Sequence, residues 1–244
     1  MNKFVNNPNL PSKKVTSVLI DFRTAPETVK KLNSLGICVY TTKRTADLYD
    51  AVSGHPDMVM HHLGGNRVVV CKSSPCFALP HGLEITEGKS CLTQKYPYDI
   101  AYNAARVGNF LIHNFRYTDA VILEHSQDLT RIDVAQGYAK CSVCVVAENA
   151  VITSDLGIAK KCDTYGIDVL VTDDSDISLK GVSHGFIGGS TGLLAPDLLG
   201  INGDIHFHRN CEGIQCFCEK YGVNILSLKD GVIEDIGSII VLTE

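Results

Sequence analysis

Three stretches of the chain share one pattern, and this pattern decides the fold. They read TVKKLNSLG-ICVYTT (28–42), IAKKCDTYG-IDVLVT (158–172) and IQCFCEKYG-VNILSL (214–228). In each stretch, apolar residues at helical spacing stop at a glycine, and a β-branched strand follows at once. Gly36, Gly166 and Gly222 fit the position after a helix where the left-handed conformation is needed, with a lysine just upstream that complements the helix dipole. The pattern predicts three helix-to-strand units.

A second repeated element consists of a strand, a short turn and another strand. Its copies are GHPDMVMHHLGGNRVVV, YPYDIAYNAARVGNFLI, QGYAKCSVCVVAENAVI and HGFIGGSTGLLAPDLLG, with turns at Gly65-Asn66, Gly108-Asn109, Glu148-Asn149 and Pro196-Asp197. These dipeptides suit hairpin turns between apolar runs. A fifth copy, IEDIGSIIVLTE (233–244), reaches the end of the sequence before any turn. Five units of about 45 residues predict blades around a central axis.

The predicted architecture is a five-bladed α/β propeller with pseudo-fivefold symmetry and ββαβ repeats. We expect a single domain over 1–244, with an N-terminal extension at 1–14. The alternative is an open doubly wound sheet. The hairpin in each unit argues against that alternative, because doubly wound sheets connect parallel strands through helices.

Composition narrows the function. Hydrophobic residues make up 45% of the chain and charged residues 20%, which excludes a disordered protein. The net charge of −5 and the lack of a basic stripe argue against nucleic acid as a partner. No apolar run is long enough for a signal peptide or a membrane span, so we predict a cytoplasmic protein with no membrane partner and ten reduced cysteines. The oligomeric state stays open.

The layout of the repeats resembles the pentein fold of guanidino-group-modifying enzymes, which includes arginine and agmatine deiminases, dimethylarginine hydrolases and amidinotransferases. The sharpest local similarity is GYAKCSVCVVAENAVI (137–152), which resembles the third-blade strand-turn-strand of agmatine deiminases. GSIIVLT (237–243) resembles the last strand of the family, where a glycine-rich lead precedes the nucleophile. The resemblance covers about residues 15–244 and implies a ligand pocket at the axis.

The chain departs from catalytic penteins at the residues that perform their chemistry. Their third-blade strand opens with Gly-His-x-Asp or Gly-His-x-Glu, and here Tyr138 and Lys140 occupy those places. The nucleophilic cysteine of the last strand corresponds to Val241, and no cysteine follows Cys218. A covalent route needs a thiolate and a base, so this alignment predicts no catalytic residues of the deiminase type.

Other polar residues near the predicted blade tips are candidates for ligand binding. Asp57, Asp99 and Asp235 each stand before an apolar strand, with His61 and Asn103 four residues after two of them. Asp57 is the residue that the resemblance most directly carries over as a substrate contact. Three carboxylates facing one cavity bind a cation or an amine, with Lys140 as an internal counter-charge. The alternative is that these aspartates only cap turns.

Further candidates carry weaker signals. His184 leads into Gly185-Phe186-Ile187-Gly188-Gly189-Ser190, whose glycines favour crowded packing at the axis over a nucleotide site. If residues 138–141 form a strand, Cys141 faces away from Tyr138 and Lys140, and Cys141 and Cys144 are two core thiols. His206, His208, Cys211, Cys216 and Cys218 have metal-ligand chemistry, but Cys216 and Cys218 diverge on a helix, so we predict no metal and no cofactor.

The predicted function is therefore binding of a small polar or cationic molecule, of amine or guanidino type, without cysteine-dependent deiminase chemistry. Two alternatives stay open. One is a divergent hydrolase or amidinotransferase with relocated catalytic residues. The other is a macromolecular interaction module that resembles ribosome anti-association factors, which are penteins without catalytic residues.

Overall fold

The computed structural model describes residues 3–244. Helices interrupt a succession of short strands along the chain, and short helical turns precede several strands. The strands are β1 (Ser17–Ile20), β2 (Cys38–Thr41), β3 (Met60–Gly64), β4 (Arg67–Val70), β5 (Glu84–Glu87), β6 (Ala105–Val107), β7 (Phe110–His113), β8 (Thr130–Asp133), β9 (Cys144–Ala147), β10 (Ala150–Thr153), β11 (Asp168–Val171), β12 (Thr191–Ala195), β13 (Leu198–Ile201), β14 (Asn224–Ser227) and β15 (Ile240–Thr243). The helices are α1 (Pro26–Ser34), α2 (Pro56–Val59), α3 (Ala120–Glu124), α4 (Ala139–Ser142), α5 (Leu156–Thr164) and α6 (Cys211–Lys220).

The strands form small three-stranded sheets, which are the predicted blades. Their strand orders are β15-β1-β2, β3-β4-β5, β6-β7-β8, β9-β10-β11 and β12-β13-β14. In each sheet the middle strand pairs antiparallel with one neighbour and parallel with the other. The antiparallel edge strands lie inside, where β12 contacts both β9 and β15. This arrangement confirms the five-bladed prediction and excludes an open parallel sheet.

The predicted turns and helix ends are confirmed. The antiparallel strands meet at Gly65-Asn66, Gly108-Asn109, Glu148-Asn149 and Pro196-Asp197. Helices α1, α5 and α6 are each followed by a glycine with positive φ, at Gly36, Gly166 and Gly222. Between β4 and β5 no helix forms, so the predicted ββαβ unit is incomplete in that sheet of the described chain.

The helices pack onto the sheets through a narrow apolar stripe. Helix α5 buries Ile158, Ala159 and Cys162, and α6 buries Ile214 and Cys218. Burying one such aliphatic side chain stabilises the fold by roughly 1.5–3 kcal/mol. The buried apolar residues form four clusters between the sheets and helices.

The two ends of the chain meet in one sheet. Strand β15 pairs with β1, and Phe4 forms an isolated bridge with Thr243. Val5 is fully buried against the same sheet, so part of the segment 1–14 packs on the propeller. Within residues 3–244, no helix combines the length and apolar character that crossing a membrane requires.

Candidate functional site

The polar residues at the axis come from the segments that lead into the inner strands. Asp57 lies on α2, Lys140 on α4 and Ser238 in the loop before β15. Lys140 Nζ donates a hydrogen bond to Ser238 Oγ at 2.9 Å, and this hydroxyl donates to Asp57 Oδ2 at 2.8 Å. All three side chains are buried. One hydroxyl group therefore links a buried cation to a buried carboxylate.

Ser238 is held in an unusual backbone conformation. Its φ is +74°, in the left-handed region that favours glycine. Its hydroxyl oxygen also lies 3.0 Å from the carbonyl oxygen of Gly188. Residues held in such conformations cost energy and concentrate at functional sites, which marks Ser238 as part of the axial arrangement.

Asn103 connects the axial residues of neighbouring blades. Its Oδ1 accepts hydrogen bonds from the backbone N–H of Lys140 at 2.9 Å and of Cys141 at 3.3 Å. Its Nδ2 donates to the backbone carbonyl of Asp57 at 3.2 Å. Asn103 is fully buried and precedes β6 rather than lying inside a strand. Its amide orients the start of α4 against α2.

The prediction that Cys141 faces away from the axis is wrong. Residues 139–142 form the helical turn α4, so the alternation of a strand does not apply to them. Cys141 Sγ lies 3.2 Å from Asp57 Oδ2 and donates to it, while Asn103 Nδ2 contacts the same sulfur. Cys144, at the start of β9, is the core thiol that the sequence predicts. A similar turn, α2, places Asp57 before β3.

His55 lies beside this thiol and has no hydrogen-bond partner. The ring is 1% exposed, and neither nitrogen makes a hydrogen bond. Nδ1 is 3.8 Å from Asp235 Oδ1, and Nε2 is 4.0 Å from Asp21 Oδ2. One ligand atom from each of His55, Asp57 and Cys141 lies within 4.8 Å of the other two. A nitrogen, an oxygen and a sulfur donor therefore converge inside the protein.

A cavity of about 200 Å³ opens above this cluster. His55, Cys141 and Asp235 contribute its polar lining, and Tyr138 and Phe186 contribute aromatic walls. The ring centroids of Tyr138 and Phe186 are 6.2 Å apart. The cavity is smaller than the 300–1,000 Å³ typical of pockets for drug-sized ligands, so it suits a ligand smaller than a drug-sized molecule.

Asp235 is the carboxylate that reaches this cavity. Its Oδ2 accepts a hydrogen bond from the backbone N–H of Phe186, and its Oδ1 accepts one from that of Gly237, both at 2.9 Å. Gly189 also packs on it so closely that a Cβ there would overlap the carboxyl group. The predicted crowding of the glycine-rich lead 185–190 is thus confirmed. Two backbone donors fix the carboxylate, and Nδ1 of the His55 ring lies 3.8 Å from its Oδ1.

Asp99 and Tyr138 form a second polar pair at the wall of the cavity. Tyr138 Oη donates to Asp99 Oδ2 at 2.5 Å. Burial raises the pKa of Asp99, and the hydrogen bond from Tyr138 opposes that rise. Burial, together with the neighbouring carboxylate, also raises the pKa of Tyr138. Tyr138 lines the cavity, and its hydroxyl group separates Asp99 from it.

Burial controls the charge state of the axial groups. It lowers the pKa of Lys140, an effect that the Asp57 carboxylate opposes. It raises the pKa of Asp235, with the nearby Asp57 charge adding to the rise. It also raises the pKa of the Cys141 thiol, so the neutral thiol is the favoured form in the absence of a cation.

The remaining predicted residues lie apart from the cluster. His184 is half-buried at the rim of the cavity, with its ring 5.8 Å from that of Phe186. His61 lies on β3 beside a separate space of about 20 Å³ that Asp57 and Lys140 also line. Burial lowers the pKa of His61 to about 3. That space has room for about one water molecule.

The side chains of the cysteine- and histidine-rich segment 206–218 do not converge on one point. His206 is exposed and bonded to Asp204, Cys216 is exposed, and Cys218 is in the core. In the part of the chain that the structure describes, the potential metal ligands that do converge are those of the axial cluster.

Sequence reasoning missed two residues of the site. His55 precedes Pro56 and Asp57, and a histidine beside a proposed ligand-binding aspartate was a usable signal. Ser238 follows Gly237 in the segment that resembles the family's last strand, and a lone serine carries no signal of its own. Both reach the axis only because the ring of blades closes.

A family of unknown function, DUF6873, matches residues 19–240. The chain belongs to this family. The match extends over the axial residues from Asp21 to Ser238, so the cluster lies within the region that defines the family. A search of curated proteins finds no match.

Solved structures of amidinotransferases resemble the fold. Inosamine-phosphate amidinotransferase StrB1 from Streptomyces griseus superposes with a TM-score of 0.52 at 12% identity, covering 92% of this chain and 91% of that one. SxtG, an amidinotransferase of the saxitoxin biosynthetic pathway from Microseira wollei, gives 0.47 at 12% identity, covering 91% of each chain. The similarity to StrB1 confirms the pentein fold. At this identity it shows the fold alone.

Proposed function

We propose that the protein binds a small organic cation, of amine or guanidino type, in the cavity at the propeller axis. The observation that carries the proposal is the position of Asp235. Its carboxylate lines the cavity, both oxygens are fixed by backbone N–H groups, and no lysine or arginine among the described residues bonds to it. A ligand cation supplies the missing counter-charge.

The walls of the cavity support the same ligand class. Tyr49, Tyr138 and Phe186 present aromatic rings to the space above Asp235. The face of an aromatic ring attracts a cation, and the attraction grows when water is excluded. A carboxylate and three aromatic side chains in one lining favour an organic cation over a neutral molecule. A cavity at the axis also argues against the interaction module, for which a filled axis is expected.

Calorimetric titration with agmatine, arginine and putrescine tests the proposal, with citrulline as a neutral ureido counterpart. We expect the cations to bind and citrulline to bind at least about tenfold more weakly, since its uncharged ureido group cannot supply the positive charge that offsets a buried carboxylate. Asp235→Asn should abolish the preference for cations. Asp163→Asn, an exposed carboxylate on α5, is the matched control.

Asp235→Asn also alters the hydrogen bonds from the backbone of Phe186 and Gly237, so a second variant that keeps Asp235 is needed. Phe186→Leu keeps an apolar wall but removes the ring, and we expect a loss of about 0.5–2 kcal/mol of cation affinity. Equal binding of cations and citrulline by the wild-type protein, or cation binding that Asp235→Asn leaves unchanged, overturns the proposal.

A second candidate function is turnover of an amidino group with Cys141 as a relocated nucleophile. The contact of Cys141 with Asp57 and its closeness to His55 favour this candidate. Against it, the thiol donates its hydrogen bond to Asp57 and burial keeps it protonated, whereas attack requires a thiolate. We therefore expect no ureido product from arginine or agmatine in a colorimetric assay at high protein concentration. Product formation that disappears in Cys141→Ser, but persists in Cys144→Ser, would establish the enzyme instead.

A further inference from the structure

Beyond binding of an organic cation, we propose that His55, Asp57 and Cys141 form a binding site for one transition-metal ion, with zinc as the best-suited metal. One donor atom from each residue lies within 4.8 Å of the others, and all three residues are buried. The donors are an imidazole nitrogen, a carboxylate oxygen and a sulfur. This mixed set suits a borderline-soft ion such as Zn²⁺ and does not suit Mg²⁺ or Ca²⁺, which prefer oxygen ligands alone.

Unsatisfied polar atoms provide an independent argument for an ion. Both ring nitrogens of His55 and the Oδ1 atom of Asp57 are buried without a hydrogen-bond partner. Leaving such a group unpaired is destabilising, and most buried polar groups in proteins are paired. A metal ion between His55 and Asp57 would satisfy one nitrogen and the free carboxylate oxygen together. The hydrogen bonds of the core leave both the His55 nitrogens and this carboxylate oxygen without a partner.

The surroundings of His55 match those of a metal-bound histidine. Asp235 Oδ1 lies 3.8 Å from Nδ1 and Asp21 Oδ2 lies 4.0 Å from Nε2. Whichever nitrogen binds the ion, a small rotation of the ring brings the other within reach of a carboxylate. Such a carboxylate orients the ring and makes it a stronger ligand. Arg23 holds Asp21 in place through a bidentate contact, at 2.6 Å from Nη2 to Oδ2 and 3.0 Å from Nε to Oδ1.

The local charge balance admits a divalent ion. With the thiol proton displaced, Asp57 and Cys141 supply two negative charges, which neutralise Zn²⁺. Lys140 stays separated from the donors by the Ser238 hydroxyl. His55 and Cys141 also line the 200 Å³ cavity, so an ion between them is reached from that side. Three protein ligands with a fourth position facing a cavity is the arrangement of catalytic zinc sites, whereas structural sites are closed by four.

Titration of the metal-free protein with Co²⁺ and Zn²⁺ tests the proposal, because thiolate-bound Co²⁺ gives a charge-transfer absorption band. We expect one equivalent of Co²⁺ to produce this band and Zn²⁺ to displace it. Cys141→Ser should remove the band. His55→Gln removes a proposed ligand and should weaken metal binding by more than roughly tenfold, because loss of even a hydrogen-bond partner of a metal ligand weakens binding by at least about that factor. Cys216→Ser, which removes an exposed thiol of the segment 206–218, should change neither.

Two outcomes overturn the proposal. The first is a wild-type protein that shows no band and no Zn²⁺ binding. The second is a band that persists in Cys141→Ser, which would assign the metal to another thiol. If either variant fails to fold, X-ray absorption of the wild-type Zn²⁺ complex decides. One sulfur at about 2.3 Å with nitrogen or oxygen ligands at about 2.0–2.2 Å is expected, and a shell without sulfur, or with several, contradicts it.

Discussion

At the scale of single residues, the side chain and the backbone of Ser238 have opposite effects on the stability of the fold. Its hydroxyl bonds to Lys140 and Asp57, while its φ of +74° strains the backbone. Removing the hydroxyl leaves a buried ammonium group without its partner, which costs about 1–3 kcal/mol. The strain is a separate contribution of roughly 1–2 kcal/mol that only glycine relieves.

A pair of variants separates these two contributions. Ser238→Ala loses the hydroxyl and keeps the strain, whereas Ser238→Gly loses both. We expect both variants to be less stable than the wild type and the glycine variant to be the more stable of the two by about 1 kcal/mol. Urea denaturation at neutral pH measures the difference. An alanine variant as stable as the glycine variant would show that the strain is absent in solution.

Asp174 provides a test of a buried charge that does not line the cavity. It is 3% exposed, its Oδ2 accepts a hydrogen bond from Ser154 at 2.6 Å, and its Oδ1 has no partner. Burial raises the pKa of Asp174 from 3.8 to about 6. The folded state therefore holds a proton that the unfolded state loses first, so the stabilisation from this group is complete below pH 4 and is lost as the pH rises through 6.

Asp174→Asn removes this dependence because an amide does not titrate. Between pH 4 and 7, the free energy of unfolding of the wild type should fall relative to the variant by about 3 kcal/mol, the equivalent of two pKa units. Chemical denaturation of both proteins at several pH values measures the relative change, which cancels the other titrating groups. A wild-type curve parallel to that of the variant would place the pKa of Asp174 near its ordinary value.

At the scale of elements, glycines serve two different purposes in this propeller. Gly222 follows α6 with a φ of +70°, and a Cβ there meets no atom within 4 Å. Gly188 leads into β12, where a Cβ would lie 2.6 Å from the carbonyl oxygen of Lys140 and overlap that of Val143. The first glycine is required by backbone conformation, and the second by the close approach of two blades at the axis.

The two alanine variants should therefore differ in their effects on stability and on ligand binding. Gly222→Ala is expected to cost roughly 1–2 kcal/mol of stability through backbone strain alone, and to leave ligand binding unchanged. Gly188→Ala forces α4 away from β12 and is expected to cost about 3 kcal/mol or more, with weaker binding of the cation in the cavity. Thermal denaturation and the calorimetric titration measure both. Unchanged binding by a folded Gly188→Ala protein would contradict the described packing at the axis.

At the scale of the whole molecule, the ring is closed by its two ends. Strand β15 pairs with β1 of the same sheet, and the backbone N–H of Lys3 donates to the carbonyl of Glu244 at 3.0 Å. The axial Ser238 stands just before this closing strand. Stability and the candidate site therefore depend on the same closure.

A circular permutation tests this closure. Joining the ends with a short glycine-rich linker and opening the chain in the exposed turn at Glu148-Asn149 preserves every strand pair, because the ends already lie together. We expect this permutant to fold with cooperative unfolding. Deletion of 240–244 removes β15, exposes the edge of β1 and should abolish folding. A deletion variant that unfolds at the wild-type temperature would show that β15 contributes nothing to closure.

The repeat and the blade architecture could be predicted from local signals in the sequence. The helices that end before Gly36, Gly166 and Gly222 are predicted from local signals. Each glycine adopts the left-handed backbone conformation that the end of its own helix requires. The hairpin turns at Asn66, Asn109 and Asn149 are equally local, because turn chemistry and apolar spacing act within a dozen residues. Asp57 and Asn103 were predicted from their positions near the starts of apolar strands, and Lys140 from the resemblance of the third unit to catalytic penteins.

The side chains that meet at the axis come from segments far apart in the sequence, so their contacts could not be predicted from it. Cys141 contacts Asp57 across 84 positions of sequence, and Ser238 contacts the same carboxylate across 181. The turns α2 and α4 have four residues each, too few for a helical period to show in the sequence, so the direction of Cys141 was predicted wrongly. Periodicity reports which face of an element is apolar, whereas the meeting of His55, Asp57 and Cys141 follows from the closure of five blades around one axis.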